Sequence, residues 1–299
     1  MSETVLKKFN EYLLNRKEFS TNTINSYDRD LKKIFLYLAE KGYSTEDYSW
    51  LNEEFVSRYI DYLKDKDYSS ATLSRTISTV HIFVEYLWIE KIIPNRVNIE
   101  VHIDKEDHHD LVIFTRQEIA KILDVKTNNL MGYRDKAIFE LSYSIGIKPT
   151  ECINLELKDV NTTIGYLKYR KKDGYRTIAL NKESVEAIEN YIVELKKEYP
   201  KIKDDSKLFL NHDGEGISRQ GFWKIFKKRQ QDLGLTKELN TMNFRNSLAI
   251  HLLEDKVPAE EVQELLGLKN INSLKLYFSS LEGNKSKRMM TNHPRKTIN

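Results

Sequence analysis

Apolar residues at helical spacing in the first 92 residues constrain the fold of this chain more than any other feature. They recur in four stretches: Val5 to Leu14, Ile24 to Gly42, Asn52 to Lys66 and Ser70 to Ile92. Such spacing places one apolar stripe along each helix, and each stripe has to pack against another element. The pattern therefore predicts a small all-helical domain at the start of the chain.

A charged stretch follows these helices and predicts a break between two domains. Residues 101–112 contain Asp104, Asp107, His108 and His109 with little apolar pattern, which is typical of a linker. Adjacent histidines beside aspartates are also a metal-binding pattern, but a run without fixed geometry is more often solvated, so we expect no metal. A chain of 299 residues suits about two domains of roughly 150 residues each. We expect a helical domain over residues 1–100, a linker over 101–112 and a second domain over 113–299.

The second part of the chain alternates between helical and strand patterns. Helical spacing returns at Gln117 to Leu123, Tyr133 to Ser144, Lys182 to Glu198 and Ser218 to Leu233. Tyr166 to Arg170 and Tyr175 to Leu180 alternate as strands do, and the intervening Asp-Gly pair is typical of a hairpin turn. Leu208 to Leu210 is a further predicted strand. The chain is therefore expected to be mainly α-helical with a small β-sheet.

The charge of the chain is nearly balanced overall but is segregated locally. Lysine and arginine total 48 and aspartate and glutamate 45, which leaves a net charge of +3. A nucleic-acid surface must therefore come from local clusters of cations. On the predicted helix from Ser218 to Leu233, the cations avoid the apolar face: Arg219, Lys224, Lys227 and Lys228. Neighbouring lysines repel each other unless an anion lies opposite, so this helix is predicted to bind phosphates, and a solvated helix face is the alternative.

The predicted helix from Ser70 to Ile92 carries short hydroxyl donors and one cation in its first turns. Ser74 and Arg75 suit contacts with a phosphate backbone. On composition alone, a capped and solvated helix start is the favoured interpretation.

The segment from Asn240 to Ser280 carries the most specific pattern in the chain. Its spacing predicts two amphipathic helices with Arg245 near the start of the first. The runs His251 to Glu254, Val262 to Gly267 and Leu276-Tyr277 closely resemble the C-terminal signature of tyrosine recombinases, the Xer and phage-integrase family. The resemblance extends over nearly the whole chain. It implies an N-terminal helical core-binding (SAM-like) domain that clamps DNA and a C-terminal α+β catalytic domain.

The resemblance also implies a reaction and a ligand. Members of the family cleave double-stranded DNA without metal or cofactor, through a helix-borne tyrosine that becomes joined to the 3′ phosphate, and Tyr277 occupies that position. Arg245 matches one of two phosphate-binding arginines, and Lys148 stands where the other belongs. Lys171 or Lys172 matches the hairpin lysine that protonates the leaving oxygen. The resemblance favours the following residues as DNA contacts: Ser74, Arg75, Arg219, Lys224, Lys227 and Lys228.

Three positions depart from the family pattern. Lys148 keeps the positive charge of an arginine but lacks the guanidinium group, which can donate two parallel hydrogen bonds to one phosphate. Met242 and Leu268 stand where the family usually has histidine, then histidine or tryptophan, and neither side chain relays a proton. His251 is interpreted as structural. We expect a DNA-binding protein that has lost most of its strand-exchange chemistry and acts as a regulator, architectural factor or recombinase partner; the alternative is an active or weakly active recombinase with Tyr277 as nucleophile.

The remaining features concern location and assembly. The single cysteine, Cys152, excludes an intrachain disulfide and fits a reducing interior. No stretch approaches the roughly 18 apolar residues of a membrane span, and the N-terminus lacks a basic segment before an apolar run. We expect a cytoplasmic, nucleoid-associated protein with no membrane partner. The basic tail from Gly283 to Asn299 is expected either to dock on a neighbouring protomer of a homo-oligomer, as the resemblance implies, or to be disordered.

Overall fold

The computed structural model describes residues 2–44, 48–101, 103, 111–171, 174–268 and 270–281. The chain forms two compact units, Met1–His109 and Asp110–Asn299, and each has its own hydrophobic core. Within the described ranges, every helix is too short or too polar to span a bilayer.

The described residues of the first unit form a bundle of four helices. They are α1 (Ser2–Asn15), α2 (Thr21–Glu40), α3 (Glu53–Asp65) and α4 (Ser70–Ile89). Their apolar stripes meet in a core rich in aromatic rings, in which Phe83 contacts Phe9, Phe35, Tyr48 and Tyr86. The predicted all-helical domain is therefore confirmed.

Small polar side chains fix where these helices begin. The Ser20 hydroxyl accepts the backbone N–H of Thr23 at 3.2 Å at the start of α2. Asn52 accepts the N–H of Phe55 at 2.9 Å at the start of α3. Each cap satisfies an N–H group that has no partner within the helix, so it places the helix start at one residue.

The described residues of the second unit form eight α-helices, two short 3-10 helices (Leu157–Asp159 and Ile271–Leu274) and a three-stranded sheet. The helices are α5 (Arg116–Leu123), α6 (Leu130–Ile145), α7 (Pro149–Cys152), α8 (Lys182–Glu198), α9 (Arg219–Asp232), α10 (Thr241–Glu254), α11 (Ala259–Leu266) and α12 (275–281). The strands are β1 (Val160–Asn161), β2 (Tyr166–Lys171) and β3 (Gly174–Ala179), antiparallel in that order. This composition confirms the predicted mainly helical fold with a small sheet.

The prediction of a strand from Leu208 to Leu210 is wrong. A single bridge from Leu210 to Gly216 takes its place. The backbone of this segment bonds instead to an irregular stretch before the sheet, where the N–H of Leu208 donates to the carbonyl of Leu155 at 2.8 Å. Its apolar residues are buried, so burial alone made the segment resemble a strand.

Two apolar clusters position the elements of the second unit. The larger one lies under the sheet and includes Leu167, Tyr169 and Ile178, which alternate with exposed residues along β2 and β3. The smaller one packs α10, α11, α12 and the 3-10 turn before α12 together through Leu248, Ala249, Ile250, Val262, Leu266, Leu274 and Tyr277. The C-terminal signature of the sequence is therefore one packed assembly of three helices.

Candidate functional site

Arg245 joins the ends of two other helices to α10. Its guanidinium is buried and donates to two backbone carbonyls, from Nη1 to Gly146 at 2.7 Å and from Nη2 to Leu266. Gly146 follows the last residue of α6, and Leu266 is the last residue of α11. Burial lowers the pKa of Arg245 and the nearby Tyr277 opposes this, but an arginine stays charged at neutral pH. The retained arginine is thus bonded to groups within the protein.

The turn that supplies one of these carbonyls requires a glycine. Gly146 has a φ of +59°, in the left-handed region that side chains rarely adopt. A Cβ atom at this position would lie 2.9 Å from Cδ2 of Leu266. The absence of a side chain lets α6 end directly against α11, which brings the carbonyl of Gly146 within reach of Arg245.

Tyr277 lies beside Arg245 but faces the interior. Its side chain is 7% exposed on α12, and its hydroxyl donates to Oδ1 of Asn246 at 3.1 Å. Burial raises the pKa of Tyr277, and the charge of Arg245 opposes part of that rise. The phenol is therefore protonated at neutral pH and hydrogen-bonded within the apolar cluster of α10, α11 and α12.

Lys148 stands immediately before α7 with an exposed side chain. Its backbone N–H donates to Oε2 of Glu151 at 3.0 Å, and Pro149 occupies the first helical position. The short helix that follows packs against β2 and α9. Lys148 therefore begins an element that borders both the hairpin and the cationic helix.

The hairpin brings a second arginine to the site, and nothing in the pattern of β3 marks it. Arg176 pairs in register with Tyr169 on β2, and its Nη1 lies 3.4 Å from that hydroxyl. Its Nη2 donates to the carbonyls of Glu264 and Leu265, the latter at 3.0 Å. Arg176 and Arg245 together bind three carbonyls in the last turn of α11, where the helix dipole favours cations. A lone arginine on an alternating strand is an ordinary surface pattern, so its position became apparent only in the structure.

Several predicted residues lie outside the described part of the chain. Lys171 is the last residue of β2 and pairs with Gly174, but its side chain and all of Lys172 are outside the described residues. The same applies to most of the predicted linker, including His108 and His109, and to the basic tail. Their predicted roles stay predictions.

Met242 and Leu268 bring no polar side chain to the site. Met242 is 61% exposed on the first turn of α10. Leu268 packs against the cluster of α10, α11 and α12, and its backbone carbonyl accepts from Nε2 of Gln263 at 3.1 Å. A thioether and an alkyl chain neither donate to a phosphate nor transfer a proton. Neither side chain can therefore bind a phosphate through a hydrogen-bond donor or transfer a proton.

Comparison with known proteins decides the family. The sequence model of the phage integrase family matches residues 113–283, and that of the phage integrase N-terminal SAM-like domain matches residues 6–91. The chain belongs to the phage integrase family. It is 31% identical to the tyrosine recombinase XerD of Staphylococcus saprophyticus over 297 residues, which cover 98% of this chain and 99% of the relative. It is 29% identical to the tyrosine recombinase XerD of Oceanobacillus iheyensis over 297 residues, 99% of this chain and 100% of the relative.

A solved structure shares the fold at lower sequence identity. The Tn1549 transposon integrase in complex with transposon right end DNA matches with a TM-score of 0.72 at 16% identity, over 95% of this chain and 98% of that one. The two family models and the XerD relatives confirm the resemblance to tyrosine recombinases, with a SAM-like domain followed by a catalytic-type domain.

The cationic face predicted on α9 is present in this member of the phage integrase family. Phe222, Ile225 and Phe226 are buried. The side chains of four cations are exposed: Arg219, Lys224, Lys227 and Lys228. The same face also carries Trp223, which the charge pattern did not indicate; it is 52% exposed, with Nζ of Lys227 4.9 Å from the ring centre.

Arg75 has an intramolecular partner that the sequence did not indicate. Its Nε and Nη2 donate to the two carboxylate oxygens of Asp30 at 2.7 and 2.9 Å. Asp30 is 2% exposed on α2 and also accepts from the hydroxyl of Thr79 at 3.3 Å. Arg75 therefore joins α4 to α2, while Ser74 beside it is exposed. The Arg75 side chain is still 39% exposed, so contact of both residues with DNA stays a prediction.

His251 occupies a structural position within α10. Its Nδ1 lies 2.6 Å from the hydroxyl of Tyr143, and its backbone carbonyl accepts from Arg116 at 3.1 Å. Burial lowers the pKa of His251, and the charge of Arg116 lowers it further. The side chain is therefore a buried, neutral base that contacts Tyr143 on α6.

This buried histidine predicts that acid destabilises the second unit. Because the pKa of His251 in the folded protein lies below its ordinary value of 6.5, the unfolded chain takes up a proton first as pH falls. The free energy of unfolding is therefore expected to fall as pH drops below 6.5, and to fall less in His251→Gln. Urea denaturation of both proteins between about pH 7.5 and about pH 5.5 measures the difference. Parallel pH dependence in the two proteins would contradict the prediction.

Proposed function

We propose that this chain is a DNA-binding tyrosine recombinase homologue that has lost efficient strand exchange and acts as a regulator, an architectural factor or a partner of an active recombinase. One observation carries the proposal. The guanidinium of Arg245 is bonded to the carbonyls of Gly146 and Leu266, and the hydroxyl of Tyr277 is bonded to Asn246. The two groups that would bind and attack a phosphate are both engaged inside the protein.

The substitutions at the site support the same proposal. Loss of one oriented donor at a developing oxyanion costs a factor of about 10² to 10³ in rate, and loss of a positioned acid or base costs about 10² to 10⁴. Met242 and Leu268 remove such groups at two positions, and Lys148 replaces a two-pronged donor by a single ammonium group. These losses do not simply multiply, because the effects of residues that act as a unit are not additive.

DNA binding rests on surfaces that do not depend on this chemistry. The cations of α9 are exposed, and α9 packs against α7, which begins next to Lys148. The Tn1549 transposon integrase, which shares the fold, is described in complex with DNA. We propose the same ligand here, held by the first domain through Ser74 and Arg75 and by the second through α9, with Lys148 and the hairpin lysines as further phosphate contacts.

Removal of three charges from α9 is expected to weaken DNA binding about a hundredfold at about 0.15 M salt. Each lost phosphate contact lowers the magnitude of the slope of log affinity against log salt by about 0.9. The magnitude is therefore expected to fall by about 2.7 in the triple variant Lys224→Gln, Lys227→Gln, Lys228→Gln. Fluorescence anisotropy with a labelled duplex over a salt series gives both quantities. A matched control replaces three exposed lysines elsewhere in the second unit, Lys182, Lys196 and Lys201. Equal losses in the two variants would count against α9 as the contact surface.

A nicked suicide duplex tests whether cleavage has been lost. With a nick placed near the scissile phosphate, an active recombinase is trapped as a covalent 3′-phosphotyrosine adduct. We expect wild type to bind this duplex without forming an adduct, and Tyr277→Phe to bind it equally well. An adduct in wild type that disappears in Tyr277→Phe would establish the alternative, an active or weakly active recombinase, which the proximity of Arg245 to Tyr277 favours.

We also propose that the chain acts on the nucleoid, and that its basic tail docks on a neighbouring protomer or on a partner recombinase. Size-exclusion chromatography with light scattering, on the full chain and on a chain that ends at residue 282, is expected to show loss of self-association in the shorter protein. Identical masses would contradict the role of the tail.

A further inference from the structure

Trp223 is an exposed indole within the cationic face of α9. Its side chain is 52% exposed, whereas its neighbour Phe222 and the nearby Phe226 are buried. These two phenylalanines fix the rotation of the helix, so Trp223 cannot turn inward without exposing them. Arg219, Trp223 and Lys227 are spaced four residues apart and therefore form one row along the helix surface.

This row places an exposed aromatic ring between two cations, so it offers two kinds of contact. The cations at its two ends suit phosphates, which carry no sequence information. The indole between them offers a large apolar surface, and Lys227 lies 4.9 Å from its centre. An α-helix fits the major groove of DNA, where each base pair presents its own set of polar groups. The apolar group on the floor of that groove is the C5 methyl of thymine.

We propose that Trp223 reads a thymine by packing its indole against the C5 methyl group in the major groove. The inference rests on the proposed function, because it requires that α9 binds DNA. Arg219 and Lys227 then hold the phosphates that flank the contact, and Trp223 supplies a sequence preference that those charges cannot supply. The contact is apolar, so its contribution does not change with salt concentration, unlike that of the lysines.

The experiment removes the methyl group alone. Duplexes bound by the full-length wild-type chain are selected from a random pool, and each thymine of the selected site is replaced in turn by deoxyuridine, which lacks only that methyl. Wild type is expected to lose about fourfold in affinity at one position, the value for burial of one methyl group. Trp223→Ala is expected to bind the thymine and deoxyuridine duplexes equally, with an unchanged salt slope, and Trp223→Phe to keep part of the preference.

Two controls separate this contact from charge and from exposed aromatic surface in general. Lys224→Gln is expected to lower the salt slope by about 0.9 and to keep the preference for thymine. Trp88→Ala, which removes a 44% exposed tryptophan from α4, is expected to behave as wild type in both respects.

Two different results overturn the inference. If wild type shows no loss at any deoxyuridine position, or Trp223→Ala keeps the wild-type loss, Trp223 does not read a thymine although the chain still binds DNA. If wild type binds no duplex with salt-dependent affinity, the proposed function itself fails.

Discussion

Arg75→Ala is expected to lower the free energy of unfolding of the first unit by about 3 to 5 kcal/mol, the cost of leaving a buried charge without its partner. Asp30 is 2% exposed, and in the variant its carboxylate loses both bonds from Arg75; among the described residues, the hydroxyl of Thr79 is the donor that stays. Trp50 is buried in the core of this unit, so its fluorescence during urea denaturation reports the unfolding of the same unit.

The reverse substitution is a matched control for this prediction. Asp30→Asn leaves Arg75 without a carboxylate, but the Arg75 side chain is already 39% exposed and is readily solvated. We therefore expect Asp30→Asn to cost less than half as much as Arg75→Ala. Equal costs would mean that the burial of Asp30 does not set the cost, and a cost below about 1 kcal/mol for Arg75→Ala would mean that the ion pair contributes no more than a surface pair.

Arg245→Met is expected to lower the free energy of unfolding of the second unit by about 3 kcal/mol. Methionine fills similar space but leaves the carbonyls of Gly146 and Leu266 without donors, and a hydrogen bond to a charged group is worth about 1.5 to 3 kcal/mol. The control is Arg219→Met, which removes an exposed arginine from α9 and is expected to change stability by less than about 0.5 kcal/mol. Urea denaturation of both variants measures the contrast.

This comparison also distinguishes two roles for Arg245. An arginine kept for phosphate binding would be dispensable for stability, so Arg245→Met would then unfold like wild type and lose affinity for DNA. If the arginine instead holds α6 and α11 together, Arg245→Met would lower stability and keep the affinity for DNA. The hydrogen bonds of its guanidinium favour the second result.

Local patterns in the sequence were sufficient to predict most of the helices and the hairpin, whereas the two domain types came from the resemblance to recombinases. The helices of the first unit follow from spacing that each segment carries by itself, and α8 has the predicted bounds, Lys182–Glu198. The hairpin of β2 and β3 was equally evident, because strand alternation and the Asp-Gly pair are both local signals. The strand prediction for Leu208 to Leu210 failed because a short buried apolar run has the same sequence pattern whether or not its backbone is hydrogen-bonded to a neighbouring strand.

The partners of the site residues could not be predicted, because they are distant in sequence. Asp30 lies 45 residues before Arg75, and Gly146 lies 99 residues before Arg245. A single arginine has no pattern that shows whether its donors face a carbonyl, a carboxylate or a phosphate. The structure brings Arg245 and Tyr277 close together, but the resemblance to recombinases carried no information about their hydrogen bonds to Gly146, Leu266 and Asn246.

The hydrogen bond between Tyr277 and Asn246 gives the tyrosine a structural role that does not depend on DNA cleavage. Phenylalanine at this position would fill the same cluster but would leave the buried amide oxygen of Asn246 without a donor, so stability alone favours the hydroxyl. A lineage that had stopped cutting DNA would therefore still be under selection to keep its tyrosine. Surveys that count a family member as an active recombinase because this residue persists would include chains in which it serves only to hold α12 against α10.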